Sequence, residues 1–271
     1  MMTKLFVPRV AEERCEVVLH QAVNAEYRHL VVAGSKLAAS AVPGQFYQLL
    51  CPTTGTDEPF LRRPMSVYGA EAQTGEISFL YKVTGAGTRG LATLQRGEAL
   101  SLMGPLGHGF TLNPGWKHIV AIGRGAGLAT LGPLAKAAQE AGIGVTAILS
   151  ARSPELVLSV ALFRAHGASV IEVTDSGGTS DPDNIETILR GLIAAARCDA
   201  FFTCGSNRLL RLQQKLAIEF GLSGEVAVEQ QMACGLGMCF CCVCEIRQGD
   251  EIVHKRVCWD GPVFSFAEAI A

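Results

Sequence analysis

The stretch HIVAIGRGAGLAT, residues 118–130, decides how the chain is read. An apolar run of strand type, HIVAIG, passes into a glycine cluster. A segment of helical composition follows, LATLGPLAKAAQEAG, closed by Gly142. Gly123, Gly125 and Gly127 permit a tight turn and let a pyrophosphate approach a helix N-terminus. The spacing is G-x-G-x-G rather than the strict G-x-G-x-x-G. The segment therefore fits a dinucleotide-binding turn, and also a plain βα turn whose glycines serve packing. An acidic residue for a ribose hydroxyl is expected about 20 to 30 residues further on. Ser150, Ala151, Arg152 and Ser153 stand in that region instead. An arginine there suits a 2′-phosphate, which keeps NADP(H) open beside NAD(H).

The alternation continues downstream. GVTAILSA (144–151), ASVIEVTDSGG (168–178) and DAFFTCG (199–205) read as strands, and NIETILRGLIAAAR (184–197) as a helix. In SNRLLRLQQKLAIEFG (206–221), Ser206 can cap a helix and Gly221 can end it. Leu209, Leu212, Leu216 and Phe220 fall on one face. Strands and helices in this order predict a parallel α/β sheet over 113–224. Upstream the texture differs. Segments such as GEISFLYKV (75–83) and EALSLMG (98–104) sit between glycine-rich turns with no long helical period, which predicts a small β-barrel or sandwich over 1–112.

Two stretches of that first unit carry chemistry. FLRRPMSVYG (60–69) sets two arginines and a turn-forming proline before a strand-like run, and TGAGTRGL (84–91) is a glycine loop with hydroxyls. GPLGHGF (104–110) is a further glycine-rich turn. Such loops cradle phosphates, and Arg63 can pair with one, although both features also occur in ordinary hairpins and solvated turns.

The third unit, 225–271, holds MACGLGMCFCCVC (232–244). Cys234, Cys239, Cys242 and Cys258 give C-x4-C-x2-C with a distant fourth cysteine, the plant-type [2Fe–2S] spacing. Gly235 and Gly237 suit a loop that must pass close to sulfide with its N–H groups turned inward. A zinc site from Cys239, Cys242, His254 and Cys258 is the rival, though it leaves Cys234 and both glycines without a reason. Cys241 and Cys244 are left over and read as packed thiols.

Bulk properties exclude other classes. A net charge of −2 leaves no basic excess for neutralising nucleic-acid phosphates. No apolar run reaches the ~18 residues of a membrane span. The opening MMTKLFVPRVAEER has no signal-peptide core, so a cytoplasmic location is expected. In that compartment clustered cysteines favour metal over disulfides.

Taken in order, RPMS, GAGT, the glycine-rich βα turn, FFTCGS and CGLGMCFCC resemble the ferredoxin–NADP reductase superfamily. Within it, the chain resembles the electron-transfer subunits of class B dihydroorotate dehydrogenase over nearly its whole length. The resemblance implies a β-barrel binding FAD, an α/β domain binding NAD(H), and a small C-terminal [2Fe–2S] module. It implies that Arg63, next to Pro64, meets the FAD phosphates, that Ser66 sits near flavin N5, and that Met65 and Val67 lie along the ring. Gly85, Gly87 and Thr88 would hold the FAD pyrophosphate, and Gly123, Gly125 and Gly127 that of NAD(H). Cys204 and Gly205 would end the strand where nicotinamide meets flavin; a buried strand-end thiol is the plainer reading of Cys204. The four cysteines would ligate the cluster.

The implied partner is an FMN-containing dihydroorotate dehydrogenase catalytic subunit, or another redox partner, in a hetero-oligomer serving pyrimidine biosynthesis. A stand-alone reductase of a ferredoxin or oxygenase, the small subunit of another flavin-based complex, and a zinc-bearing regulatory module are the alternatives. One such small subunit, that of NADH-dependent ferredoxin:NADP reductase, usually has an aspartate among its cluster ligands, where this chain has four cysteines. Several positions depart from the resembled pattern. Arg124 stands for a small residue, Thr130 for a proline, and Ser206 for the proline of a Cys-Gly-Pro turn. Thr174-Asp175-Ser176-Gly177-Gly178 stands for Thr-Asp-Asp-Gly-Ser.

Overall fold

Two residues close the first unit. In the computed structural model, which describes residues 10–34, 40–55 and 58–271, seven antiparallel strands form one sheet. They are β1 (Ala11–Ala22), β2 (Tyr27–Ala33), β3 (Phe46–Leu49), β4 (Arg63–Ser66), β5 (Gly69–Glu71), β6 (Glu76–Lys82) and β7 (Ala99–Leu106), in the order β4-β3-β7-β1-β2-β6-β5. The two edge strands, β4 and β5, are separated only by Val67 and Tyr68. Val67 N–H donates to Gln45 O (3.0 Å) on one side, and Tyr68 N–H to Ser78 O (2.9 Å) on the other. One bent strand thus joins both edges and closes the sheet into the expected barrel. Its interior is filled by Val17, Leu30, Tyr47, Leu49, Phe79 and Leu102, all fully or almost fully buried.

The glycine loop at 84–91 is more ordered than its composition predicts. It forms a short helix, α1 (Ala86–Leu91). Thr88 Oγ1 accepts from the Thr84 and Gly85 N–H groups (2.8 and 3.0 Å) and so fixes the entry to the helix. Gly90 presses its backbone on Pro52, whose carbonyl oxygen lies 2.1 Å from where a Cβ would stand.

The second unit alternates as its sequence predicts. Strands β8 (His118–Arg124), β9 (Gly144–Ala151), β10 (Ser169–Thr174), β11 (Ala200–Cys204) and β12 (Ser223–Ala227) run parallel in the order β10-β9-β8-β11-β12. Helices α2 (Gly127–Glu140), α3 (Val160–Ala165), α4 (Pro182–Ala194) and α5 (Asn207–Phe220) connect them. β8, β9 and β11 are buried almost throughout, as strands covered on both faces must be. Ser206 caps α5 by accepting from Leu209 N–H, and Gly221 ends it at φ +65°. Leu209, Leu212 and Leu216 face the core, but Phe220 does not. It is the last residue of the helix, exposed, with the Arg190 guanidinium over its ring.

After Ala227 the chain leaves this sheet, forms the cysteine loop and the hairpin β13 (Val243–Gln248) and β14 (Glu251–Arg256), and turns through α6 (Val257–Asp260). It then returns. β15 (Val263–Ser265) pairs antiparallel with β12, matching Val226 with Phe264. The sheet is therefore shared across residue 224, where composition changes. His108 N–H also donates to Gly261 O (2.6 Å), which ties the module to the end of the barrel. Phe264 packs with Phe46 and Leu106 from the barrel side and with Cys242, Val257 and Cys258 from the module. Truncating a buried phenylalanine costs about 3–5 kcal/mol. Phe264→Ala is expected to lower the thermal midpoint by several degrees and to loosen the cysteine module first. Hydrogen exchange should show faster exchange at 242–260 than in β1–β7.

Candidate functional site

The parallel strand order reverses between β8 and β11, which places a crevice at their carboxyl ends. Three clefts open there. The first, about 400 Å³, is walled by the barrel (Pro64, Met65, Ser66, Thr88), by the start of α2 (Ala126, Ala129) and by the segment between β12 and the cysteines (Val228, Glu229, Gln230, Met232). The second, about 390 Å³, follows the ends of β11 and β12 from Thr203 to Asn207 and from Val226 to Glu229. The third, about 240 Å³, is lined by Glu26, Lys82, Arg124, Gly125, Arg152 and Gly205. Glu229 borders the first two, Gly205 the last two, and Lys82 the first and third. They form one branching groove at the junction of the three units.

Seven of the residues singled out in the sequence, Gly125 among them, line this groove. Pro64, Met65, Ser66 and Thr88 line its barrel side, and Cys204 and Gly205 its α/β side. Arg63 lies flat on α1: a Cβ on Gly87 would stand 2.7 Å from its Nε. Its guanidinium donates to the Leu61 and Arg62 carbonyls and has no carboxylate partner among the described residues. Gly85 is extended, with open space where a Cβ would stand.

Three positions behave otherwise. Val67 is buried in the barrel core, because the closing bend turns its side chain inward, so it does not wall the cleft. Gly123 and Gly127 give their space to the protein. A Cβ on Gly123 would meet Leu128 and Leu131 at 2.7 and 2.9 Å, and one on Gly127 would meet the Cys204 carbonyl oxygen at 2.4 Å. Only Gly125, at φ +56°, both makes the turn and lines a cleft.

Ser66 and Cys204 come together through a residue that sequence reading noted only as a departure. Thr130, buried in α2, donates to Ser66 Oγ (2.8 Å), and Cys204 Sγ donates to Thr130 Oγ1 (3.7 Å). Cys204 Sγ also lies 3.9 Å from Glu229 Oε1. Burial, then the neighbouring carboxylate, pushes the Cys204 thiol far above its ordinary range, so it stays protonated at neutral pH. Glu229 opens on the groove yet has protein on most sides, and that crowding raises its carboxyl above the usual range. No motif marks Glu229. Its one signal in the sequence is its place two residues after β12.

The four spaced cysteines share one loop system. Leu236 N–H donates to Cys234 Sγ (3.3 Å), Gly237 N–H to Cys258 Sγ (3.2 Å) and Cys258 N–H to Cys242 Sγ (3.4 Å). Gly235 and Gly237 take φ +70° and +74°, which turns those N–H groups inward. Burial alone would raise the Cys234 thiol, but the N–H groups of Leu236, Cys239 and Met238 and the Cys239 thiol outweigh it and bring it down to about 7. Burial and the Cys242 thiol push Cys258 up to about 12. Among the described residues no three His, Cys, Asp or Glu side chains close around the position of a single ion. Backbone N–H groups aimed at cysteine sulfurs suit an iron–sulfur cluster. Cys241, expected to be packed, is exposed, and Cys244 is half-buried. All ten cysteines are free.

Comparison with known proteins bears on this arrangement directly. Residues 229–269 match the family described as the iron–sulfur cluster binding domain of dihydroorotate dehydrogenase B. The electron transfer subunit of dihydroorotate dehydrogenase B (NAD(+)) from Desulforamulus reducens is 34% identical over 229 residues, covering 84% of this chain and 86% of that one. The subunit from Geobacillus thermodenitrificans is 31% identical, covering 96% and 99%. The chain belongs to this family of electron transfer subunits. Among solved structures, an NADH-dependent reduced ferredoxin–NADP oxidoreductase superposes with a TM-score of 0.77 at 25% identity, over 94% of this chain and 88% of that one. The ferredoxin reductase of carbazole 1,9a-dioxygenase shares the fold, with a TM-score of 0.62 at 19% identity over 79% and 67%. No helix among the described residues is long and apolar enough to cross a membrane.

Within the family, the departures noted in the sequence have local reasons. Ser206 caps α5 with its hydroxyl, which a proline cannot do. Thr130 supplies the hydroxyl between Ser66 and Cys204. Arg124 forms a two-pronged ion pair with Asp175 (2.6 and 3.1 Å) and donates to Ser150 (2.9 Å). These bonds, with one from Ser180, hold the Asp175 carboxyl down at about 2. The pair therefore stabilises the fold above the ordinary carboxylate range, and that contribution is lost as pH falls through the depressed value. NMR titration should place the Asp175 midpoint near 2, and Arg124→Ala should return it toward about 4. A midpoint near 4 in the unaltered protein would refute the pair.

Proposed function

We propose that this chain carries electrons between NAD(H) and the catalytic subunit of a dihydroorotate dehydrogenase, using FAD on the barrel and a [2Fe–2S] cluster on the cysteine module. The work divides among 1–112 for FAD, 113–224 for NAD(H) and 225–271 for the cluster. The observation that carries this reading is the groove itself. It opens at once on the barrel, on the carboxyl ends of the parallel strands, and on the segment that runs from β12 into the cysteines.

FAD supplies the exchange between hydride and single electrons, and the cluster supplies one-electron carriage. The chain's residues do the positioning. Arg63, lying on Gly87 in the loop that also holds Gly85 and Thr88, offers a diphosphate a cation with no carboxylate partner among the described residues. Pro64, Met65 and Ser66 wall the flavin side of the first cleft. Gly125 and Gly205 border the place for the NAD(H) pyrophosphate, while Gly123 and Gly127 hold that turn against β11. Cys204 stays a neutral thiol and shapes the nicotinamide side rather than attacking it. A hydride transfer needs alignment and exclusion of water more than a strong acid or base, and a groove walled by three units provides both. Cys234, Cys239, Cys242 and Cys258 hold the cluster.

NAD(H) is favoured over NADP(H). Arg152, the candidate for a 2′-phosphate, is already ion-paired with Glu26, which also takes Lys82 at 2.8 Å. The six cysteines outside the cluster set are free thiols that fit a reducing compartment, so the complex works in the cytoplasm, in pyrimidine biosynthesis.

Anaerobically purified protein is expected to contain FAD, iron and acid-labile sulfide, and its visible absorbance should bleach on addition of NADH. A colourless protein with zinc and no flavin would overturn the proposal. Bleaching followed by rapid transfer to free ferredoxin, with none to a dihydroorotate dehydrogenase, would move the chain to a stand-alone reductase. Hydrogen bonds to charged groups contribute about 1.5–3 kcal/mol. Arg63→Ala should therefore weaken FAD binding by roughly 10- to 100-fold in equilibrium titration, with iron content unchanged.

A further inference from the structure

Strand β3 presents two faces. Tyr47 and Leu49 point into the barrel core, while Phe46 and Gln48 face the cysteine module. Phe46 packs against Leu106, Cys242 and Cys258. Gln48 is fully buried, yet neither its Oε1 nor its Nε2 has a hydrogen-bond partner among the described residues. It alone among them has both side-chain polar atoms in this condition. Its backbone carbonyl accepts from Arg62 (3.3 Å), so only the carboxamide is left over. That carboxamide lies on the cysteine loop. A Cβ on Gly235 would stand 2.8 Å from Gln48 Cγ and 3.0 Å from Nε2. Gly235 directly follows Cys234 and takes φ +70°.

Burying an amide without a partner is unfavourable, and native proteins rarely keep one without a use. A leucine or methionine would fill the same space at no such cost. What lies beside the amide is the loop that carries the sulfur ligands, and sulfur in an iron–sulfur cluster accepts hydrogen bonds.

We propose that the Gln48 carboxamide donates an N–H hydrogen bond from the barrel to the cluster held by Cys234, Cys239, Cys242 and Cys258, and so raises its reduction potential. The cluster gains negative charge on reduction, and a donor to its sulfur favours the reduced form. The inference rests on the cysteines being cluster ligands. It adds a determinant that belongs to another unit of the chain, so that the barrel tunes a centre it does not ligate.

The test is an EPR-monitored redox titration of the full chain, with iron and sulfide counted in every sample. Gln48→Met removes the donor at similar volume, and Gln48→Leu serves in the same titration should the first variant lose its cluster. The expected result is a midpoint potential shifted to more negative values in the iron-loaded variant, together with loss of an exchangeable-deuteron coupling to the reduced cluster in D2O. An unchanged potential in an iron-loaded variant overturns the proposal. Loss of iron from both variants, with an unaltered thermal melt, also overturns it and makes Gln48 a prop for the loop. Absence of iron and sulfide from the unaltered chain would refute the cluster reading itself, a result distinct from either.

Discussion

The pairing of β15 with β12 is the constraint on which the arrangement depends. β12 ends at Ala227, and the next residues border the groove before entering the cysteine loop. β15 begins at Val263, directly after Pro262, which lines the same cleft. Val228 N–H donates to Pro262 O (2.9 Å), so the outgoing and returning chains are bonded to each other at the groove's edge. The cysteine module is thereby held at both of its ends beside the first cleft. Electron transfer favours short separations between centres, and a module tethered at one end would leave that separation free to drift. The ladder pairs between β12 and β15 convert a peripheral segment into a fixed one.

The contact between barrel and α/β unit is built differently, from a mixture of packing and charge. Tyr27 and Leu80 of the barrel are buried within the core of the α/β unit, beside Leu128 and Ala129. Around them lie Ser66 with Thr130, Lys136 with Glu71, and Glu26 between Lys82 and Arg152. The exposed pairs contribute little to stability singly. Their use is register: each needs its partner at one place, and together they fix how the two walls of the groove face each other.

Much of this was legible in the sequence. The alternation around HIVAIGRGAGLAT predicted the parallel sheet, because buried strands and amphipathic helices leave different periods. The RPMS stretch and the cysteine spacing marked two walls of the groove. What stayed hidden depends on long-range closure. That β4 and β5 are one strand serving both barrel edges cannot be read from either segment, since each alone is a short strand after a turn. The return of β15 to β12 is equally silent: VFS is three residues without a pattern. Glu229, Thr130 and Gln48 are ordinary residues made special by what other elements bring beside them. The glycines at 123 and 127 illustrate the opposite case. The sequence marked them as significant, but two neighbouring elements claim the space that a ligand was expected to need.

The bent strand through Val67 and Tyr68 also bears on how the molecule is made. All seven barrel strands are complete once residue 106 has emerged from the ribosome, with β7 sliding between β3 and β1 to finish the sheet. The barrel can therefore fold before the glycine turn at 123–127 has itself emerged. The parallel sheet has no such independence. Its β12 edge stays unpaired until residues 263–265 arrive, and an open edge invites pairing with other chains. The two halves of the groove thus mature at different times. An interrupted chain would carry a finished barrel-side wall beside a sheet still seeking its last strand.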